Sequence, residues 1–150
     1  MQISFTVDGV VQLSRLVTDL SATVQDWSPA LSQSSDDILE FITNDVFDTE
    51  GEALGQPWQP LSAKYAVWKE KNYPGQPILQ RTGAMRQGFI SAVDSSTLTI
   101  GNSISYFPYH QSLAPRRVLP RRAMMQLTDN LKATIIQNFR EQMLAATGGL

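Results

Sequence analysis

His110 is the only histidine of this 150-residue chain, and it is the first residue to consider for acid–base chemistry. A catalytic histidine needs a nucleophile or an orienting carboxylate beside it. The sequence neighbours of His110 are Tyr109, Gln111 and Ser112, none of which is acidic. The sequence therefore favours a structural or interface role for His110, and an enzyme built around this residue ranks third among the functions considered.

The chain has no cysteine, so disulfides, thiol nucleophiles and thiolate metal sites are excluded. A metal site would therefore depend on carboxylates. Asp36, Asp37 and Glu40 lie close together on a predicted helix, but such a cluster is typical of a solvated polar face. The glycines form neither a Gly-x-Gly-x-x-Gly motif nor a phosphate loop ending in Gly-Lys-Ser/Thr. We therefore predict no catalytic residue, no metal and no cofactor.

An arginine cluster is the strongest binding feature of the sequence. Four arginines fall within seven residues, namely Arg116, Arg117, Arg121 and Arg122. Arginine clusters can hold phosphates, but no aromatic residues lie among these four to stack on bases. Three interpretations stay open, which are salt bridges to acidic residues of a neighbouring subunit, a solvated basic face, and direct binding of nucleic acid. The last is the least favoured of the three.

The charge is divided unequally along the chain. Residues 1–60 carry ten acids and one base, a net charge of −9, whereas residues 61–150 carry eleven bases and four acids, a net charge of +7. This division indicates either two solvated faces on a monomer or an acidic face that binds the basic face of the next subunit. A head-to-tail contact of the second kind closes into a ring or grows into a filament.

Large aromatic residues lie in or beside a loop that is rich in proline and glycine. Trp58, Tyr65 and Trp68 are suited either to core packing or to an interface, where such side chains dominate binding energy. The candidate interface residues are Trp58, Tyr65, His110, Arg116, Arg117, Arg121 and Arg122.

The apolar periodicity predicts one α+β domain over residues 1–150, with a short antiparallel sheet or hairpin packed against several helices. The predicted elements are a strand at Ile3–Val7, helices at about 9–25, from Ser28-Pro29 to Phe47, at Leu61–Lys71 and from Thr82 to Phe89, a hairpin about Asp94–Ser96, and a long C-terminal helix at about 122–146. Ser28 is the expected helix cap, and residues 102–120 are expected to form a loop.

Three further expectations come from the sequence. Leu61, Tyr65 and Trp68 lie on adjacent turns of their predicted helix, which suggests a buried aromatic face. Met1 is followed by neither a basic stretch nor a long apolar run, so we expect no signal peptide. No stretch approaches the roughly 18 apolar residues of a membrane span, so we expect no membrane partner.

Four short motifs follow one another in a fixed order. They are Trp58-Gln-Pro-Leu61-Ser62, Leu79-Gln-Arg-Thr82-Gly83, Tyr106-Phe-Pro-Tyr109-His110-Gln111 and Arg117-Val-Leu119-Pro120. Together with Phe47, Gly51, Lys64, Lys69, Ile78, Met85 and Ile100-Gly101, this order resembles that of the phage virion morphogenesis, or tail completion, family of Mu-like and related tailed phages. The resemblance spans about residues 38–145. It departs from the family pattern at Leu113, where a glycine is usual, and in the short segment between His110 and Arg117.

The resemblance implies a non-enzymatic structural protein of the phage tail or of the head–tail neck. It implies an oligomeric ring, with the protein itself and other tail or neck proteins as partners, which is made in the host bacterial cytoplasm and carried in the virion. The alternative function is a nucleic-acid-binding accessory protein that uses the basic cluster Arg116–Arg122, although nucleic acid is not the expected direct ligand.

Overall fold

The computed structural model describes residues 2–6, 25–113 and 118–146. The helix predicted at about 9–25 and the residues Arg116 and Arg117 lie outside this described part. The strands are β1 (Gln2–Thr6), β2 (Phe89–Val93) and β3 (Thr97–Asn102), and the α-helices are α1 (Ser28–Glu40), α2 (Ala63–Asn72), α3 (Ala84–Gln87), α4 (Phe107–Gln111) and α5 (Asp129–Ala146). A π-helical segment, Phe41–Val46, follows α1, and a 3-10 turn lies at Glu52–Leu54. The α+β class and the long C-terminal helix are confirmed.

The chain divides into two compact units. Of the described residues, the first contains those within Leu39–Ile90 and Asn102–Gln126, and the second contains those within Gln2–Ile38, Ser91–Gly101 and the C-terminal segment from Leu127. The assignment of residues 1–150 to one domain stays a prediction. No helix of the described residues is long and apolar enough to cross a membrane.

The sheet has the strand order β1-β3-β2. β1 pairs antiparallel with β3, so that Gln2 lies opposite Gly101 and Thr6 lies opposite Thr97. The hairpin between β2 and β3 is closed by the carboxylate of Asp94, whose Oδ1 accepts hydrogen bonds from the backbone amides of Ser96 at 2.8 Å and Thr97 at 2.7 Å. The first strand and the hairpin are therefore confirmed, and the turn forms where a side chain binds its own backbone.

The helix ends differ in detail from the prediction. α1 begins at Ser28 as predicted, but its cap is the carboxylate of Asp26, whose Oδ1 accepts a hydrogen bond from the Ser28 amide at 2.9 Å. α5 begins at Asp129 rather than near residue 122, and Thr128 caps it by accepting a hydrogen bond from the Leu131 amide at 3.2 Å. The short helix α4, which the sequence did not predict, lies within the segment expected to be a loop.

The interior of the first unit is a row of aromatic rings. Phe47 packs edge-on against Trp58 and Phe89, with ring centroids 5.4 and 6.2 Å apart, and Phe89 packs edge-on against Phe107 at 5.6 Å. Phe47 and Phe107 are fully buried. Edge-to-face pairs of this kind add to the free energy gained by burying apolar area, so this row is the framework on which the motif residues are fixed.

The second unit is held together by α5. Phe139 packs against Trp27, with ring centroids 5.2 Å apart. Gln142 accepts a hydrogen bond from the Ala30 amide at 2.8 Å and donates one to the Asp26 carbonyl at 2.6 Å, while Asn138 donates to Asp37 at 2.7 Å. The start of α1 is thus bound to one face of the C-terminal helix.

Candidate functional site

Trp58, the anchor of the first motif, lies in the interior of the first unit with 7% of its surface exposed. Its backbone amide donates to the Glu50 carbonyl at 2.7 Å, and its indole Nε1 donates to the Ala123 carbonyl at 2.7 Å. Gly51 has a positive φ of 90°, and a Cβ there would lie 2.5 Å from Cδ1 of Trp58. The loop that carries the motif is therefore shaped around the indole ring.

Arg122 connects the first motif to the segment that follows the fourth. Its side chain donates to the carbonyls of Gln59 at 2.8 Å and Pro60 at 3.1 Å, and its backbone amide donates to the His110 carbonyl at 3.0 Å. Only 4% of Arg122 is exposed. Burial lowers the pKa of its guanidinium, and the negative charge of Glu50 opposes this shift. Arg122 is thus a buried cation bound to neutral carbonyls.

Gln111 of the His-Gln pair acts as a backbone clamp. Its Oε1 accepts hydrogen bonds from the amides of Met124 at 2.8 Å and Met125 at 3.0 Å, and its Nε2 donates to the Met125 carbonyl at 2.8 Å. The side-chain amide therefore satisfies backbone groups of Met124 and Met125, which are buried and lie in neither a helix nor a strand. This clamp explains why the helical periodicity about Met124 does not produce a helix, because these backbone groups already have a side-chain partner.

α2 exposes its aromatic residues, so the predicted buried aromatic face is wrong. Ser62 caps the helix as its hydroxyl accepts from the Tyr65 amide. Tyr65 and Trp68 stack on each other at 5.5 Å and are 39% and 43% exposed. The buried residue of α2 is instead Lys69, which is 4% exposed and whose Nζ donates to the Pro77 carbonyl. The long aliphatic stem of a lysine can be buried when its ammonium reaches an acceptor, and this arrangement turns the rings outward.

The four motifs meet at one cleft of about 640 Å³ in the first unit. The lining residues that belong to the motifs are Gln59, Pro60, Leu61, Ser62, Leu79, Arg81, Thr82, Tyr106, His110, Val118, Leu119 and Pro120. Tyr65, Lys69, Met85 and Arg122 complete the lining. Residues from separate parts of the sequence therefore form a single concave surface that mixes apolar side chains with positive charge.

The charge of this cleft is entirely positive among its described lining residues. Lys69, Arg81 and Arg122 contribute cations, and no aspartate or glutamate lines it. The ion pairs of the described residues are Arg86–Asp48 and Lys132–Asp129, so none of the three cleft cations has a carboxylate in salt-bridge contact. The pKa of Lys69 is lowered, chiefly by burial and also by the charges of Arg122 and Arg81, whereas Glu50 raises it.

The candidate interface residues are distributed unevenly about the cleft. Tyr65 and His110 line it, Arg122 forms part of its buried wall, and Trp58 lies in the interior. Arg121 is exposed, and its Nε donates to the Gln111 carbonyl at 3.0 Å. Their interface role stays a prediction. Among the described residues no group of three or more histidine, cysteine, aspartate or glutamate side chains could hold a metal ion.

The sequence interpretation missed the roles of Lys69 and Arg81 in this cleft. A signal was present for Lys69, because Leu61, Tyr65 and Lys69 are spaced four residues apart and so share one helix face. Arg81 lies within the Leu79–Gly83 motif, in which the sequence predicts a capping role for Thr82 and no role for Arg81. Its guanidinium lies over the ring of Tyr73 at 5.4 Å.

The motifs and their convergence can now be compared with known proteins. The sequence profile of the phage virion morphogenesis family matches residues 8–144. The chain belongs to this family. Members of the phage virion morphogenesis family are generally structural rather than enzymatic, and membership gives this chain a structural role in phage assembly. No curated protein matches the chain, and no solved structure matches it.

Proposed function

We propose that this member of the virion morphogenesis family is a non-enzymatic component of the phage tail or the head–tail neck. It completes the tail or joins it to the head, and it acts as a homo-oligomeric ring. Its partners are further copies of itself and other tail or neck proteins. It is made in the host bacterial cytoplasm and is carried in the virion.

The observation that carries this proposal is the convergence of the family's motifs on a surface that has the composition of a docking site. Apolar lining, exposed tyrosines and an exposed arginine, here Arg81, are what protein interfaces favour. The side chains of Trp58, Gln111 and Arg122 donate to backbone carbonyls of other segments, at Ala123, Met125 and Gln59, which supports a scaffold role for them.

Solution mass tests the oligomer. Native mass spectrometry and light scattering of the purified chain should give a defined oligomer at low salt that dissociates as salt rises, because screening weakens contacts between charges. A monomer at every salt concentration and protein concentration would contradict the ring.

The nucleic-acid alternative has a separate test. Arg122 is buried against carbonyls, which leaves Arg116, Arg117 and Arg121 of the basic cluster for phosphate contacts. A gel-shift assay with single- and double-stranded DNA at low salt should give no shift. A shift that weakens steeply with salt would favour the alternative, since phosphate contacts release counterions.

A further inference from the structure

Two of the cleft cations are buried without a carboxylate in salt-bridge contact, and the charge of Glu50 acts on both from a longer distance. Lys69 and Arg122 are each 4% exposed, and both donate to backbone carbonyls rather than to a carboxylate. Burying a charge is costly unless it is paired, and the charges of Arg122 and Arg81 disfavour the charged form of Lys69. Glu50 offsets part of this cost without contacting either cation, so a carboxylate in direct contact would stabilise the cleft wall further.

The rim of the cleft has the composition of an interface hot spot. Tyr65 and Arg81 lie on the cleft, and the exposed Trp68 and the half-buried Tyr73 continue from Tyr65 as a ladder of rings. Ring centroids are 5.5 Å apart between Tyr65 and Trp68 and 5.9 Å between Trp68 and Tyr73. Tryptophan, tyrosine and arginine are the residues most enriched among those that dominate binding energy. An acidic protein segment that covers this rim would bring a carboxylate beside the buried cations.

The chain itself contains a segment of matching charge. Residues 40–52 carry five acids and no base. Within this acidic stretch Glu40, Asp45 and Glu52 are exposed, and none forms an ion pair with another described residue. We propose that the cleft binds a carboxylate of the acidic stretch from a second copy of the chain. This inference rests on the proposed self-assembly and names the site and the segment through which it occurs.

The geometry favours a carboxylate over a nucleic-acid backbone. A strand of nucleic acid follows a row of exposed cations, whereas Lys69 and Arg122 are recessed in the wall of the cleft. Arg81 is the exposed cation of the cleft among the described residues. A recessed pair of cations behind one exposed arginine suits a single carboxylate that enters between apolar groups.

Sedimentation equilibrium at low salt tests the proposal with a matched pair of variants. Arg81→Glu reverses the charge at the cleft, and Arg140→Glu makes the same change on an exposed position of α5. We expect Arg81→Glu to weaken self-association at least about tenfold and Arg140→Glu to leave it unchanged. Circular dichroism and thermal melting establish that both variants are folded.

A mixing experiment identifies the partner segment. The double variant Glu40→Lys/Asp45→Lys reverses two exposed charges of the acidic stretch and should associate only weakly alone, as should Arg81→Glu. Mixed together they should associate, because one supplies an intact cleft and the other an intact acidic stretch. The control is a mixture of Arg81→Glu with Arg140→Glu. Both variants have an intact acidic stretch, and only Arg140→Glu has an intact cleft. The mixture should therefore gain only the contacts made by the cleft of Arg140→Glu.

Three results would overturn the inference. The first is an oligomeric wild type that Arg81→Glu does not weaken, which leaves the proposed ring intact and rejects only the cleft. The second is a wild type that stays monomeric, which rejects self-assembly as well. The third is binding of a fluorescent oligothymidylate that Arg81→Glu abolishes while self-association is unchanged, which would assign the cleft to nucleic acid.

Discussion

The indole Nε1 of Trp58 donates a hydrogen bond to the carbonyl oxygen of Ala123 at 2.7 Å, across 65 residues of sequence. This contact joins the loop after α1 to the irregular segment before α5. Trp58 and Ala123 both lie in irregular backbone, so the contact between these segments is made by a side chain that reaches across. The cleft between the motifs therefore depends on such side-chain contacts.

Trp58→Phe tests this contact. Phenylalanine keeps the packing against Phe47 but leaves the Ala123 carbonyl without its donor, which we expect to cost about 1–3 kcal/mol of unfolding free energy. Urea denaturation measures the change. Trp68→Phe, which alters an exposed ring, is the control and should stay within about 0.5 kcal/mol of wild type. Equal effects of the two substitutions would contradict the structural role given to the indole hydrogen bond.

Gly51→Ala tests the space beside the indole. Gly51 and Gly55 both have positive φ, at 90° and 84°, but an added Cβ would lie 2.5 Å from Trp58 at position 51 and would meet nothing within 4 Å at position 55. Both alanine variants bear backbone strain, and only the first bears a clash. We expect Gly51→Ala to lose more unfolding free energy than Gly55→Ala by more than about 1 kcal/mol. Similar melting curves for the two would show that the ring moves freely.

Gln111→Ala tests the clamp on the segment before α5. The substitution removes the acceptor of two buried amides and the donor to the Met125 carbonyl. Buried polar groups left unsatisfied cost about 1–3 kcal/mol each, so we expect a loss of at least about 2 kcal/mol in chemical denaturation. Gln126→Ala, at an exposed position nearby, is the control. A stable Gln111→Ala variant would mean that the segment holds its shape by packing alone.

Asp94→Ala tests the hairpin through its pH dependence. Hydrogen bonds from the amides of Ser96 and Thr97 lower the pKa of Asp94 below its ordinary value of 3.8. A carboxylate with a lowered pKa contributes stability above pH 3.8, and this contribution is lost as the pH falls through the folded-state pKa.

Thermal melting from neutral pH to pH values below 3.8 is the measurement. Asp94→Ala should melt below wild type at neutral pH, and the difference should shrink in acid. Asp94→Asn keeps a side-chain oxygen acceptor, so it should melt closer to wild type at neutral pH than Asp94→Ala does, and its own melting temperature should not depend on ionisation of residue 94. Parallel melting curves for wild type and Asp94→Ala at every pH would contradict this account.

Much of the secondary structure could be predicted because its signals are local. Ser62 begins α2 with its own hydroxyl, and Asp94 closes the hairpin with its own carboxylate. The start of α5 could not be located from apolar spacing alone. Gln111 binds the backbone of Met124 and Met125 from an element that is distant in sequence, and no local pattern reports that competition.

The cleft was predictable only in part, for a similar reason. The sequence predicts Tyr65 and His110 as interface residues, and both line the cleft. The burial of Lys69 and Arg122 depends on carbonyl acceptors at Pro77 and Gln59, which the sequence does not place beside them. Long charged side chains are usually expected on the surface, so residue type alone predicts the opposite location for these two cations.

The central claim, a structural role in completing or joining the phage tail, is tested most directly by electron microscopy of particles from the phage or prophage with this gene deleted. We predict separated heads and tails, or tails with defective ends, and little infectivity. Supplying the wild-type chain should restore normal particles and infectivity. Normal, infectious particles that lack the protein would contradict the account.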